Sequence, residues 1–158
     1  MKLVVDSSTL IALLNADALY LLERLAQRGV EIIIPNAVSQ ELAGAGRNIH
    51  NPNFTVVSPT SSISFASLGP GEAEAIALCL EYGPENALLI TDDKAARKKA
   101  RRLGIKTTGT LGLVVQAAKH RIINTDEALK LIKKVKKYIW VTDDVEKEAI
   151  EKLKRGDP

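Results

Sequence analysis

A three-layer α/β/α sandwich around a mostly parallel sheet is the fold this sequence predicts, and three observations predict it. Four short runs rich in apolar residues, "KLVVD", "EIIIP", "FTVVSP" and "ALLIT", recur along the chain, and a fifth, β-branched run, "IKTT", follows them. The first, second and fourth are continuously apolar rather than alternating, as strands buried on both faces are. Between the runs lie stretches with helical periodicity, and strands that alternate with helices build a parallel sheet covered on both sides.

Taken in order, residues 2–6 form a buried strand with a polar end, followed by two helical stretches, "SSTLIALLNA" and "ADALYLLERLAQRG". Gly29 after Arg28 closes the second. Residues 31–35 are a strand stopped by Pro35, and residues 36–44 a short helix for which Asn36 can serve as cap, with Val38 and Leu42 on one face. A Gly/Asn/Pro loop, a short strand at 54–59 and an irregular stretch "TSSISFAS" come next. The segment 69–83 is a helix with Pro70 in its first turn and a core stripe of Ala73, Ile76, Ala77 and Leu80. Strand 87–91, helix 93–104, strand 105–108 and a helix starting at 109 complete the alternation. Thr125 with Glu127 opens a helix with the stripe Leu129, Ile132 and Val135, and residues 143–155 form the last. Residues 1–158 read as one domain, with 124–158 a helical extension packed on it.

Composition narrows the function classes. No apolar stretch approaches the roughly 18 residues of a membrane span, and Asp6 interrupts the first apolar run, so neither a membrane segment nor a signal peptide is expected. One cysteine, Cys79, sits in an apolar helical pattern, which excludes a disulfide framework and suits a cytoplasmic protein. The net charge of +3 conceals an asymmetry. Residues 1–93 hold four Lys/Arg and eleven Asp/Glu, whereas residues 94–158 hold eighteen and eight. Metal on the acidic side and a polyanion on the basic side would account for that division; simple solvation of basic helix faces is the alternative.

The acids fall where an open parallel sheet places its sites, beyond the C-terminal ends of its strands. Asp6 ends the first strand, and Asp92 and Asp93 end the fourth. Glu41 lies on the helix after the second strand, and Glu72 and Glu74 lie in the first turns of the helix that enters the fourth. Gathered there, carboxylates repel and their pKa values rise unless a cation intervenes. Neither histidine, His50 or His120, lies near these motifs in sequence, and both read as surface residues. An all-oxygen set suits Mg²⁺ or Mn²⁺, ions that polarise phosphates and activate water for phosphodiester hydrolysis. Behind the Asp pair follow Lys94, Arg97, Lys98, Lys99, Arg101 and Arg102, a run suited to a phosphate backbone. Lys94, Lys98 and Arg101 share one helical stripe, so at most half of the run can face one groove. Asp92 and Asp93 are expected to point in different directions.

The segments "VVDSSTLIAL", "IPNAVSQELAG", "LGPGEAEAIALCLEYG" and "LLITDDKAARKKARRLGIKTTGTLGLV" together resemble a PIN domain. The chain is similar to the prokaryotic branch in which "GEAEAI", "DD..AR..A..LG" and "GTLG" recur together, and the resemblance covers essentially all of it. It implies a Mg²⁺/Mn²⁺-dependent ribonuclease, and many such proteins are toxins held by a small antitoxin. It also implies Asp6, Glu41, one of Glu72 or Glu74 and one of Asp92 or Asp93 as the catalytic and metal-binding acids, with Ser8 and Thr91 as supporting hydroxyls. Counting back from "LEYG" favours Glu72; the T-x-D form favours Asp93, while strand-end placement favours Asp92. Lys94, Arg97, Lys98 and Arg101 are the expected RNA contacts. Family members often dimerise, and Leu10, Leu13, Leu14, Leu21 and Leu22 leave room for an interface, although core is the commoner fate of such leucines. A non-catalytic module that docks RNA or protein is the second reading. A nucleotide-binding or phosphoacceptor domain is disfavoured, because neither G-x-G-x-x-G nor G-x-x-x-x-G-K-[ST] is present.

Overall fold

The structure, a computed structural model, describes residues 1–61 and 63–156. Ser62, inside the irregular 60–67 stretch, and residues 157–158 lie outside the described residues. Five strands are present: β1 (Lys2–Val5), β2 (Glu31–Pro35), β3 (Phe54–Val57), β4 (Ala87–Ile90) and β5 (Lys106–Thr108). The helices are α1 (Ser7–Asn15), α2 (Tyr20–Gln27), α3 (Asn36–Gly44), α4 (Pro70–Tyr82), α5 (Lys94–Arg102), α6 (Thr110–Lys119), α7 (Thr125–Lys136) and α8 (Asp143–Lys154). All strand pairs are parallel and the sheet order is β3-β2-β1-β4-β5. The expected sandwich is therefore present, with β1 at its centre.

Period-two alternation along each strand divides the core. Leu3, Val5, Ile32, Ile34 and Ile90 face the layer formed by α1, α2, α6, α7 and α8, joined by Val38 and Leu42 of α3. Val4, Ile33, Ala87 and Leu89 face the opposite layer, where Ile76, Leu78 and Cys79 of α4 and Ala100 of α5 pack. Each fully buried Val, Leu or Ile contributes ~1.5–3 kcal/mol relative to exposure, which explains why these runs are apolar on both faces. Burial pushes the Cys79 thiol up to about 12, so it packs as an inert apolar group.

Three local expectations are corrected. Leu80 is 36% exposed and lies outside the core, while Ala73, Ile76 and Ala77 are buried as the stripe requires. Asn36 is the first residue of α3 rather than its cap; Pro35 takes the cap position and offers no side-chain acceptor. The cap of α7 is Asn124, one residue before Thr125, and it forms a reciprocal capping box with Glu127. Leu10, Leu13, Leu21 and Leu22 are fully buried and Leu14 packs partly buried against the same core, the commoner fate expected of these leucines.

At the C-terminal end, α7 and α8 pack on α6 and on each other. Ala149 and Leu153 of α8 join the same core as Val114 of α6 and Ile132 of α7. Lys136 of α7 also pairs with Asp143 and Glu146 of α8. Trp140, in the connection between these helices, is 94% exposed. Among the described residues, no helix is long and apolar enough to cross a membrane.

Candidate active site

The sheet order reverses between β1 and β4: the chain runs outward from β1 through β2 to β3, then returns to lay β4 on the other side. The carboxyl ends of those two neighbours mark the crevice where open α/β sheets bind their ligands. Asp6 and Thr91 are the first residues beyond β1 and β4. Their amides extend the sheet ladder, Asp6 donating to Ile90 and Thr91 to Thr108, each at 3.0 Å. That pairing fixes both side chains at the crevice floor.

Asp6 is 1% exposed and serves as the N-cap of α1. The Ser7 N–H donates to its Oδ1 at 2.8 Å and the Thr91 hydroxyl donates to its Oδ2 at 2.7 Å. The Thr91 oxygen in turn accepts the Asp93 N–H at 3.1 Å. Burial pushes the Asp6 carboxyl from 3.8 up to about 6; the bonds from Thr91 and Ser7 pull the other way, and the charges of Glu72 and Glu41 add to the rise.

Gly71 explains how α4 comes so close. A Cβ there would stand 3.0 Å from Val38 Cγ2, 3.3 Å from Glu41 Oε2 and 3.9 Å from Asp6 Oδ1. Asp6 and Glu41 thus face the same bare patch of helix, with Glu72 one residue further on. Glu72 folds back over Gly69, where a Cβ would stand 2.7 Å from its Oε2. Glu74 is engaged elsewhere: its Oε1 accepts the Ala37 N–H at 2.8 Å and so supplies the cap that Asn36 does not.

Asp92 and Asp93 diverge, as expected. Asp93 caps α5, accepting the Ala96 N–H at 2.8 Å. Asp92 turns to the start of α6, where Oδ1 accepts the Thr110 N–H at 2.8 Å and Oδ2 accepts the Thr110 hydroxyl. Gly109 makes room for this, since a Cβ there would meet Asp92 Oδ1 at 2.7 Å. With the Thr110 proton directed at Asp92, Thr9, 3.0 Å away, is the donor to Thr110. The Ser8 oxygen accepts the Asp92 N–H at 3.2 Å, which leaves the Ser8 proton free to donate.

Thr9, Gly71, Gly109 and Thr110 were not foreseen as site residues. "GTLG" carried the signal for the last two, since a hydroxyl at a helix start beyond a strand is well placed to hold an acid. Of the four expected RNA contacts, Arg97 lines a cavity together with Asp92. Lys94 and Lys98 are exposed on α5, and Arg101 lies about 10 Å down the helix axis from Lys94, toward the opposite sheet edge.

Among the described residues, no cationic nitrogen comes within 4.0 Å of Asp6, Glu41, Glu72, Asp92 or Asp93. A buried carboxylate beside two other acids, all oxygen and without a cationic partner, is the donor chemistry of a hard divalent ion. The acids do not form a ready cage: among the described residues, no three His, Cys, Asp or Glu side chains converge enough to hold a metal.

Fold and site together define a doubly wound α/β protein with a carboxylate crevice at its topological switch point. The PIN-domain family model matches residues 2–155, and the chain belongs to that family. PIN domains are generally nucleases that use divalent metals. Among solved structures the chain is similar to a PilT N-terminus domain protein from the hyperthermophilic archaeon Sulfolobus solfataricus P2. The two share 24% identity and a TM-score of 0.57 over 77% of this chain and 97% of that one, a likeness of fold. A comparison with curated proteins gives no match.

Proposed function

We propose that the protein is a divalent-metal-dependent endoribonuclease that hydrolyses phosphodiester bonds of single-stranded RNA, and that it is the toxin of a toxin–antitoxin pair. The observation that carries this reading is Asp6, buried and raised to about 6 by that burial and by the charges of Glu72 and Glu41, with no cationic nitrogen within 4.0 Å among the described residues. Asp6, Glu41 and Glu72 would hold Mg²⁺ or Mn²⁺, with Asp92 or Asp93 as the fourth acid. When bound, the ion supplies Lewis-acid polarisation of the phosphate and an activated water.

The chain's own residues divide the remaining work. Thr91 and Ser7 lock the Asp6 carboxylate, so that one acid is placed before any ligand arrives. Glu41 is exposed and Glu72 half-buried, and both have the reach to swing toward Asp6 across Gly71. That motion would turn a spread of acids into a cage, and the bound ion would offset the repulsion that their approach raises. Ser8, whose oxygen accepts the Asp92 N–H at 3.2 Å and whose proton is left to donate, is placed to orient a water or a phosphate oxygen. A small antitoxin that inserts a cation into this acidic crevice would block it.

Asp6→Asn keeps an oxygen to accept the Ser7 N–H cap and removes the charge, while its Nδ2 turns from acceptor to donor toward the Thr91 oxygen. The expected result is loss of Mn²⁺-dependent cleavage of single-stranded RNA with the circular dichroism spectrum unchanged; full cleavage by this variant would defeat the proposal. A second reading, RNA docking without cleavage, draws on the caps that Asp92 and Asp93 form at α6 and α5. RNA retained equally with EDTA and with Mn²⁺, and never cut, is its signature.

A further inference from the structure

Among the charged groups that the site does not use, the cations around α6 and α8 lead back to it. A groove of about 760 Å³ lies where the C-terminal ends of α6 and α8 meet the start of α7. Lys119, Arg121, Lys152 and Arg155 line it. The one acid in its wall, Glu127, is already engaged by Arg24 and by its own capping box. Lys152 pairs with Glu148 at 3.2 Å; among the described residues Lys119, Arg121 and Arg155 have no ion-pair partner. Arg121 adopts the left-handed region with φ 59, uncommon for a long side chain.

A second groove, of about 320 Å³, has Asp92 and Arg97 in its wall together with Glu148 and Lys152. Val115, Gln116 and Lys152 line both grooves, so the two adjoin, and together they form a channel-like path from the wall that holds Asp92 to the three unpaired cations. Arg97 Nε is buried in this region without a hydrogen-bond partner, a donor lacking its acceptor. Among the described residues, no aromatic side chain lines either groove.

We propose that this channel carries the sugar–phosphate backbone of the single-stranded RNA away from the scissile bond. Phosphates would rest on Lys119, Arg121 and Arg155, with Arg97 at the junction with the acids. The proposal rests on the nuclease reading and adds the path of the substrate. Unpaired cations call for a polyanion, and continuity with Asp92 makes that polyanion the substrate. The lack of aromatic walls makes recognition electrostatic and tolerant of base sequence, because stacking, the usual source of base contact in single strands, has no platform here.

The test is a fluorescence-polarisation titration of a short labelled single-stranded RNA in EDTA, so that binding is read without cleavage. The groove variant is Lys119→Gln/Arg121→Asn/Arg155→Gln, with asparagine chosen for its tolerance of left-handed φ. The control is Lys130→Gln/Lys133→Gln/Lys134→Gln on α7, which removes equal charge from residues outside both grooves. The groove variant is expected to bind about tenfold more weakly and to show a salt slope shallower by about 2, from roughly 0.7 per lost phosphate contact. The control is expected to bind as the parent does. Equal weakening by both variants, parental affinity in the groove variant, or no RNA binding by the parent would each overturn the channel. Cleavage with Mn²⁺ is scored separately: RNA bound in the predicted pattern but never cut leaves the channel standing and removes the nuclease.

Discussion

Asp6 is held by two donors and disfavoured by its surroundings, and the balance has a sign. A carboxyl whose pKa rises on folding, here from 3.8 to about 6, contributes stability that is fully present below 3.8 and lost as pH climbs through 6. The span corresponds to about 3 kcal/mol. In EDTA, Asp6→Asn is therefore expected to gain stability relative to the parent between pH 4 and pH 7, read as urea midpoints across that range; a constant difference would contradict the assignment. Asp6 itself was legible because a strand end next to Ser7 and Ser8 needs no tertiary information to interpret. Counting back from "LEYG" favoured Glu72, but the physical reason that Glu74 is engaged elsewhere was not legible. It turns on α3, 37 positions away, offering the Ala37 N–H to one of them. Thr110 was missed for the same reason, since its contact with Asp92 exists only once β5 has set α6 beside β4.

At the scale of elements, α3 and α4 meet through the absence of a side chain. An alanine at position 71 would gain up to ~1 kcal/mol of helix propensity over glycine. Its Cβ would press on Val38, which is fully buried and cannot yield. Gly71→Ala is expected to lose ~1–3 kcal/mol in urea unfolding despite the better propensity. It should also displace Glu41 and weaken Mn²⁺ binding, measured by titrating the ion against melting temperature. Neutral stability with unchanged affinity would show that α4 can slide away. The strands were readable because continuous apolar runs bounded by Pro, Thr or Asp admit few alternatives. Helix starts were less so: Asn36 and Asn124 are equally good caps by residue type, but only Asn124 is placed with a glutamate three residues on to complete the pair.

For the whole molecule, metal and stability are linked through the same acids. An ion bound only by the folded state at a hundred times its Kd adds about 2.7 kcal/mol. For a chain of this size that is a rise of roughly 5–10 °C in melting temperature. Mn²⁺ is expected to produce such a rise in the parent, EDTA to reverse it, and Asp6→Asn to show none; an equal rise in the variant would place the ion elsewhere. The division between an acidic first part and a basic remainder was visible in composition, and the fold turns it into geometry, with carboxylates at the switch point and cations on α5, α6 and α8. What composition could not show was which cations converge. The run 94–102 drew attention by its density, yet one helix must scatter it around its axis, whereas Lys119 and Arg121 at the end of α6 line one groove with Arg155 at the end of α8.

The lone Trp140, 94% exposed between α7 and α8, has a practical consequence. Its indole is nearly as wet in the native protein as in the denatured chain, so the wavelength of its emission hardly registers unfolding. Melting curves recorded that way would look flat for a well-folded sample. The same indole, standing clear of the surface, would respond to any macromolecule that covers it.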